Sequence, residues 1–426
     1  MKSFYFLGIG GVSMSALAIF LKQKGLFVSG SDISHGVATE MLEQNGIKVD
    51  FDINEEAIKS ADIVCVSSAI KQEDKRLKIA KEQKKKIITR GELLGEISKD
   101  YEKVIAIAGS HGKTTTTALI FHILKAANQN PTLHLGGYKI DDNKNYFVGG
   151  NEFFITEACE YCDNFLYLNP YLSIITNIEP EHLDYFKNFE NQKKSFEKFE
   201  LQSENLIKEN LSFHAENVFH DKDGFLSFDL VKDENLILHF DTKLLEEINT
   251  KNIICAYRAC KFLGVSDRQI EKGVESFSGV KCRFEKMKSE RFGNVICDYA
   301  HHPTEIKNSI ESAKKIFLNK KLFVIFQPHT FSRTKLLFDE FFDVFKDVEN
   351  PIFFKTYSAR EKETDGMSAR EFAEILRKTN ENTCYFDDFS SLNNFLQKIR
   401  DKQNCVLLFV GAGDLPQILN QNGFVS

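Results

Sequence analysis

What most limits the folds open to this chain is an alternation of short apolar runs with helical patterns that starts three separate times. The first series runs "SFYFLGIG", a helical stretch from about Val12 to Lys24, "LFVSGSD", a second helix near Thr39 to Gln44, then "ADIVCVSSA" and "KKIITR". Strands that alternate with helices build a parallel, doubly wound sheet. After the polar stretch "GEISKDYEK" (residues 95–103) the series restarts with "VIAIAG", followed by the strand-like "FFITEACE" and "LSIITNIEP" and a helix from Phe189 to Glu200. A third start near Gly279 yields "GNVICDYAHHP", "KLFVIFQPH", "NPIFFKTYSA" and "NCVLLFVGAGD", apolar strands that end in polar residues. At 426 residues the chain exceeds what one hydrophobic core supports. The expectation is an α/β protein of three domains, at residues 1–98, 99–279 and 280–426. Open parallel sheets bind ligands at the carboxyl ends of their strands, so the strand ends are where chemistry is sought.

Composition narrows the function classes. Apolar residues make up 42% and charged residues 27%, the balance of a soluble globular protein. Lys plus Arg (55) nearly cancels Asp plus Glu (61) with no dense basic block, which argues against a nucleic-acid binder. Nine cysteines scattered without a regular framework read as reduced, mostly buried thiols and point to the cytoplasm. The apolar N-terminus is broken by glycines and serines, so no signal peptide is expected, and no apolar run is long enough for a membrane span.

"GSHGKTT" (Gly109 to Thr115) follows a strand and opens a helix. Its glycines let successive N–H groups face an anion, the helix start adds partial positive charge, and Lys113 adds a full one. Thr114 is placed to ligate Mg²⁺. The spacing is shorter than GxxxxGK[ST], yet nucleoside triphosphate binding is the expectation. "GIGGVSMS" is a second phosphate turn, with Ser13 where a third glycine of GxGxxG would stand and Asp32 at the spacing of a ribose-binding acid. Taken alone, that turn suggests a dinucleotide-binding domain.

In "FFITEACEYCDNF" Glu157 and Glu160 follow a strand, and in "TNIEPEHLDYF" His182 sits in an acidic turn after another. Magnesium prefers oxygen ligands, so Thr114 with a carboxylate suits one ion, and Glu157 with His182 suits a second. "CDYAHHPTEI" sets Asp298, Tyr299, His301 and His302 at a strand end, and "FQPHTFSRTK" sets His329 and Arg333 at the next. Without a third ligand at fixed spacing, the paired histidines read as contacts to a ribose, phosphate or carboxylate rather than a metal centre. Lys281 and Arg283 in "GVKCRFE" are cations at a domain junction, able to meet a γ-phosphate.

Taken in order, "GIGGVSMS", "GSHGKTTT", "EACEYCDNF", "TNIEPEHLDYF", "DYAHHPTEI", "FQPHTFSRT" and "GAGDL" resemble the Mur ligases over nearly the whole chain. The resemblance implies a Rossmann-like first domain holding a UDP-substrate, a central P-loop ATPase-type domain holding ATP and Mg²⁺, and a Rossmann-like third domain that brings an amino acid and closes over both. The implied activity is an ATP-dependent amide ligase of cytoplasmic peptidoglycan precursor synthesis. Its partners would be UDP-N-acetylmuramate and L-alanine, as monomer or homodimer, without nucleic acid or membrane insertion. Carried over residue by residue, the UDP-substrate would meet Gly8, Gly10, Gly11, Val12, Ser13, Asp32 and Ser68. ATP would meet Gly109, Ser110, His111, Gly112, Lys113, Thr114, Thr115, Asn252 and Asp298. Thr114, Glu157 and His182 would hold the metal, with Lys113, His182, Glu157 and Arg283 catalytic. Tyr299, His301, His329 and Arg333 would hold the amino acid.

The chain departs from the family at Thr330, where many members carry arginine, and at Cys255, where a second asparagine usually follows Asn252. Lys193 and Lys194 lie near the position of a lysine that is carbamylated in some siblings. The alternatives are a recycling ligase adding a tripeptide to UDP-N-acetylmuramate, an NAD(P)-dependent oxidoreductase, and a nucleotide-binding module without catalysis.

Overall fold

The computed structural model describes residues 2–359 and 361–424, the side chains of residues 183 and 184 excepted. Packing divides the chain into two units. One comprises Met1–Glu216, Asp229–Phe240 and Thr250–Phe277, the other Asn217–Phe228, Asp241–Asn249 and Ser278–Ser426.

The first unit carries two sheets. In spatial order the first is Lys48–Asp50, Phe27–Ser31, Ser3–Leu7, Ile63–Val66 and Lys86–Thr89, parallel throughout. The second runs Asn205–Ile207, Leu172–Ile175, Lys103–Ala108, Phe153–Glu157, Thr132–His134 and Tyr146–Phe147, with only the last pair antiparallel. In each sheet the strand that feeds a glycine turn, Ser3–Leu7 or Lys103–Ala108, has later strands on both sides. That is the topological switch point, where an open α/β sheet leaves a crevice for ligand. Lys103–Ala108 reads "KVIAIA" and is buried from its second residue on, as a central parallel strand covered on both faces must be.

Helices begin where local chemistry allows. Asn188 caps Phe189–Leu201 by accepting from Asn191 N–H at 2.9 Å. Thr89 and Glu92 form a capping box that starts Arg90–Ser98. The polar stretch expected to link two domains is therefore helical over its first four residues. Leu93, Leu94 and Ile97 bury one side of this helix in a core shared by both sheets, which includes Leu17, Phe20, Phe154, Phe165 and Phe196. Gly95 makes that packing possible, because a Cβ there would stand 2.5 Å from the carbonyl oxygen of Tyr167. Gly95→Ala is expected to cost about 1–3 kcal/mol through backbone displacement, read as a lower urea midpoint with unchanged slope. An unchanged midpoint would refute the close approach.

The same core encloses His134, which is 1% exposed. Burial, with a smaller contribution from Arg90, pushes its pKa from 6.5 down to about 3. The unfolded chain takes up this proton below pH 6.5 and the folded chain does not, so stability is complete above 6.5 and declines as the pH falls toward 3. The expected slope is about 1.4 kcal/mol per pH unit at most. Denaturant titrations at several pH values should show His134→Val losing this part of the acid sensitivity. An identical pH profile in that variant would contradict it.

The second unit holds a sheet ordered Glu285–Met287, Asn294–Asp298, Cys405–Val410, Lys321–Phe326, Pro351–Phe354 and Cys384–Phe386, parallel except for the first pair. Phenylalanines 326, 341, 345, 353 and 372 cluster on one side of it. A three-stranded sheet, Phe213–His220, Leu226–Lys232 and Asn235–Asp241, was not foreseen from the sequence. All nine cysteines are free thiols. Among the described residues no helix is long and apolar enough to cross a membrane.

Candidate active site

The N-terminal turn is built around Asp32. Its Oδ2 accepts from Gly10 N–H at 2.8 Å and its Oδ1 from Ile33 N–H at 2.8 Å. A side chain at position 10 would meet that carboxylate at 2.9 Å, so the glycine is required for the contact. Gly8, at φ +80°, turns the chain while Gly8 and Ile9 donate to Ser31 O. Gly11 then precedes helix Val12–Gln23. Ser68 is exposed beyond the end of strand Ile63–Val66. The hydroxyl of Ser13 faces inward, within 2.8 Å of His134 Nε2. Beside the turn lies a cavity of about 310 Å³ lined by Ile33, Phe51, Ile53, Asp74 and Arg76, among others. The Arg76–Asp74 pair (2.7 Å) and the His35–Phe51 ring stack give this cavity a charged wall and an aromatic one. Asp74 caps helix Lys75–Glu82 and pairs with Arg76 two residues on, whereas His35 and Phe51 meet from beyond the ends of two different strands.

The central turn places two glycines at positive φ, Gly109 at +131° and Gly112 at +82°. Asn177 holds the loop from behind, accepting Ser110 N–H through its carbonyl (3.1 Å) and His111 N–H through its side chain (3.0 Å). Asn252 packs so close that a Cβ on Gly112 would fall 2.3 Å from its Oδ1, and that oxygen accepts from Thr116 at 3.4 Å. Helix Lys113–Ala126 starts here, and the first N–H groups of a helix lack intrahelical acceptors. Lys113 Nζ donates to Gly109 O (2.5 Å), Ser110 O (3.2 Å) and Glu160 Oε1 (3.1 Å). Burial works against its charge, but Glu160 and Glu181 outweigh that and hold its pKa above the usual lysine value.

Carboxylates collect around the lysine in two groups. Glu157 accepts from Thr114 Oγ1 at 3.1 Å and from Gly136 N–H at 2.5 Å. His182, in the left-handed region at φ +54°, turns Nε2 toward Glu160 (3.7 Å) and Glu181 (3.8 Å) rather than toward Glu157. Glu160, Glu181 and His182 present ligand atoms within 4.8 Å of one another. Glu160 is fully buried, and its Oε2, like that of Glu181, has no hydrogen-bond partner among the described residues. Orphaned buried oxygens beside one imidazole are a donor set that fits Mg²⁺. In the sequence Glu160 stands out only by its spacing three residues after Glu157. Gln192 was missed altogether. It is buried and braces the acidic turn, donating to Glu179 O (2.9 Å) and accepting from Glu181 N–H (3.1 Å). Lys193 instead meets Glu190 (2.9 Å) and the Phe189 ring, and Lys194 is exposed.

In the second unit, Asp298 ties the sheet end to its surroundings. It accepts from Phe284 N–H (3.3 Å) and from Ser309 Oγ (2.5 Å), and burial raises its pKa. Glu246, which the sequence did not single out, is pushed up to about 8 by burial and by the neighbouring Asp298 charge. The Arg283 guanidinium lies 5.3 Å over the Tyr299 ring. His301 donates from Nδ1 to Tyr299 O (3.0 Å), since a carbonyl can only accept, so Nε2 carries the lone pair. His302 caps helix Pro303–Ile316, and Glu305 receives the N–H groups of His301 and His302. The His329 ring stacks on Tyr357, and burial, then Arg333, lowers its pKa to about 4. Thr330, a β-branched residue at φ +71°, opens the short helix that carries Arg333. Among the described residues, Arg333 Nη1 and His329 Nδ1 are buried without partners.

Two nucleotide-type turns at sheet switch points, with a lysine and carboxylates at the second, define a nucleotide-dependent α/β class. The match to protein families is specific. Residues 3–102 correspond to the Mur ligase family catalytic domain, 107–207 to the Mur ligase middle domain, and 282–413 to the Mur ligase glutamate ligase domain. The chain belongs to the Mur ligase family. It is 38% identical to a UDP-N-acetylmuramate--L-alanine ligase of Acetivibrio thermocellus, over 98% of this chain and 94% of that one. It is 36% identical to the protein of the same name in Caldicellulosiruptor saccharolyticus, over 97% of each. Its fold is similar to the Thermotoga maritima UDP-N-acetylmuramate-alanine ligase (TM-score 0.85, 24% identity, 99% of both chains). It is also similar to a murein peptide ligase of Psychrobacter arcticus (TM-score 0.70, 20% identity, 99% and 98%).

Proposed function

We propose that the protein is an ATP-dependent ligase that joins L-alanine to the lactyl carboxylate of UDP-N-acetylmuramate in the cytoplasm. The observation that carries this reading is the half-buried Lys113 ammonium at a glycine turn with Glu157, Glu160 and His182 around it. Full-length similarity to relatives bearing that name supports the substrate pair. Residues 1–98 would hold the UDP-substrate, with Asp32 bracing the diphosphate turn and the 310 Å³ cavity beside it suited to the base. Residues 99–279 would hold ATP, and residues 280–426 the amino acid.

A carboxylate is a poor electrophile, so a carboxylate oxygen of the sugar acid would attack the γ-phosphorus of ATP, breaking its bond to the bridging oxygen and releasing ADP, to form an acyl phosphate. Lys113 would exchange its carbonyl and Glu160 partners for phosphate oxygens and offset charge as it builds. Bound Mg²⁺, held by Thr114, Glu157, Glu160, Glu181 and His182, would neutralise phosphate charge. Arg333 would receive the carboxylate of alanine. The Nε2 of neutral His301 would accept a proton from its ammonium, leaving a free amine to attack the acyl carbon as phosphate departs.

The test is phosphate release from ATP with UDP-N-acetylmuramate, comparing single amino acids with a tripeptide. Release that depends on L-alanine is expected. Activity with the tripeptide alone would overturn the substrate assignment, and NAD(P)H binding in place of ATP would overturn the class.

A further inference from the structure

A continuous chain of hydrogen bonds crosses the first unit from the UDP-side turn to the strand end that carries Glu157. Arg90 Nη1 donates to Ser13 Oγ (3.2 Å), Ser13 Oγ lies 2.8 Å from His134 Nε2, and His134 Nδ1 lies 2.8 Å from Thr156 Oγ1. Thr156 Oγ1 in turn donates to Glu157 O at 3.1 Å. One hydrogen assignment satisfies every member. The guanidinium can only donate and a carbonyl can only accept. Ser13 therefore gives its proton to Nε2, and Nδ1–H goes to Thr156, whose own proton goes to Glu157. A neutral imidazole has that one donor and one acceptor, and His134 and Thr156 are both almost wholly buried. The same helix start is held from a second side by Asn145, fully buried, which donates to Val12 O (2.5 Å) and Ser15 Oγ (3.1 Å).

We propose that His134 is a positioning residue that sets the UDP-substrate turn, through Ser13, in register with the Glu157 strand end, through Thr156. This rests on the ligase reading given above. The two reacting partners, a sugar carboxylate and a γ-phosphate, would be bound by different sheets, and each sheet forms its own turn without the other. What remains to be fixed is their mutual placement, to which an in-line attack is acutely sensitive, since displacements of about 1 Å can lower a rate by about 10²-fold. A buried imidazole bridging two hydroxyls is short, rigid and directional, and so suits that task better than apolar packing, which has no preferred register.

The variants are His134→Val and Thr156→Val, measured in the full-length protein with active-site titration to count folded molecules. Per folded molecule, His134→Val is expected to lose about 10- to 100-fold in kcat, while the affinities for UDP-N-acetylmuramate alone and for MgADP alone stay within about 3-fold. Because the residues act as one chain, the His134→Val/Thr156→Val double variant should lose no more than the single ones. If His134→Val does not fold, Thr156→Val carries the same test from the other end. Wild-type kcat per folded molecule, or losses that multiply in the double variant, would overturn the role. The wild type run alongside separates the two levels: if it releases no phosphate with L-alanine, the ligase reading falls and takes this proposal with it.

Discussion

Lys113→Ala is expected to lose at least about 10³-fold in turnover and to melt at a lower temperature than the wild type. Under the proposed ligase activity, the first effect follows from removing the full positive charge that Lys113 brings to the turn, where charge would develop in the transition state. The second follows from Glu160. That carboxylate is fully buried, and Lys113 is the cation it accepts from. Truncating one partner of a buried pair leaves the other uncompensated, at about 3–5 kcal/mol. The double variant Lys113→Ala/Glu160→Gln removes the stranded charge and should recover much of the melting temperature while recovering none of the turnover. Two measurements decide it, a thermal melt and a phosphate-release rate. Turnover near the wild-type value in Lys113→Ala would dismiss the lysine from catalysis, and a double variant no more stable than the single one would dismiss the buried pair.

Arg333→Ala should raise the KM for L-alanine on the order of 10²- to 10³-fold, with the KM for ATP nearly unchanged. The guanidinium has a buried Nη1 that no described residue satisfies, and Glu361, an acid beside the start of the same helix, accepts instead from the N–H and hydroxyl of Ser332. Its neighbour His329 is neutral, with a pKa near 4, so it neither repels nor replaces the cation. A carboxylate ligand is the natural completion of such a group, and losing a desolvated charge-assisted contact costs about 2–5 kcal/mol. Arg333→Lys should restore only part of the loss, because an ammonium cannot make the paired, planar contact. An unchanged KM for L-alanine in Arg333→Ala would move the amino-acid site elsewhere.

The readable parts of the site are those whose chemistry is local. Gly109, Gly112 and Lys113 stand within five residues, and the left-handed backbone at both glycines is what such spacing requires. Asp32 could be proposed from its distance to the N-terminal turn, and its bond to Gly10 spans only 22 residues. The histidine and arginine positions of the second unit likewise sat at the ends of strands that apolar runs made visible. The metal-type cluster was less legible. His182 was expected with Glu157, whereas its near neighbours are Glu160 and Glu181. The cause is the chain reversal at Glu160–Tyr167, where Cys162 and Asp163 adopt positive φ without being glycine, so no residue type announced the turn. His134 was invisible for a different reason. Its partner Ser13 is 121 residues away, and a histidine in an apolar strand looks the same whether it bridges two sheets or merely fills a core.

By itself, then, the order of residues determined the α/β alternation, the two glycine turns and the identity of the charged groups at strand ends, because hydrophobic period, glycine geometry and helix starts act over a few residues. The pairing of Glu160 with Lys113, the grouping of His182 with Glu181, the bracing by Gln192 and the bridge through His134 were decided only by the tertiary structure. Each depends on which strand ends become neighbours, and that is set by sheet order and by the burial of a shared core rather than by any spacing along the chain.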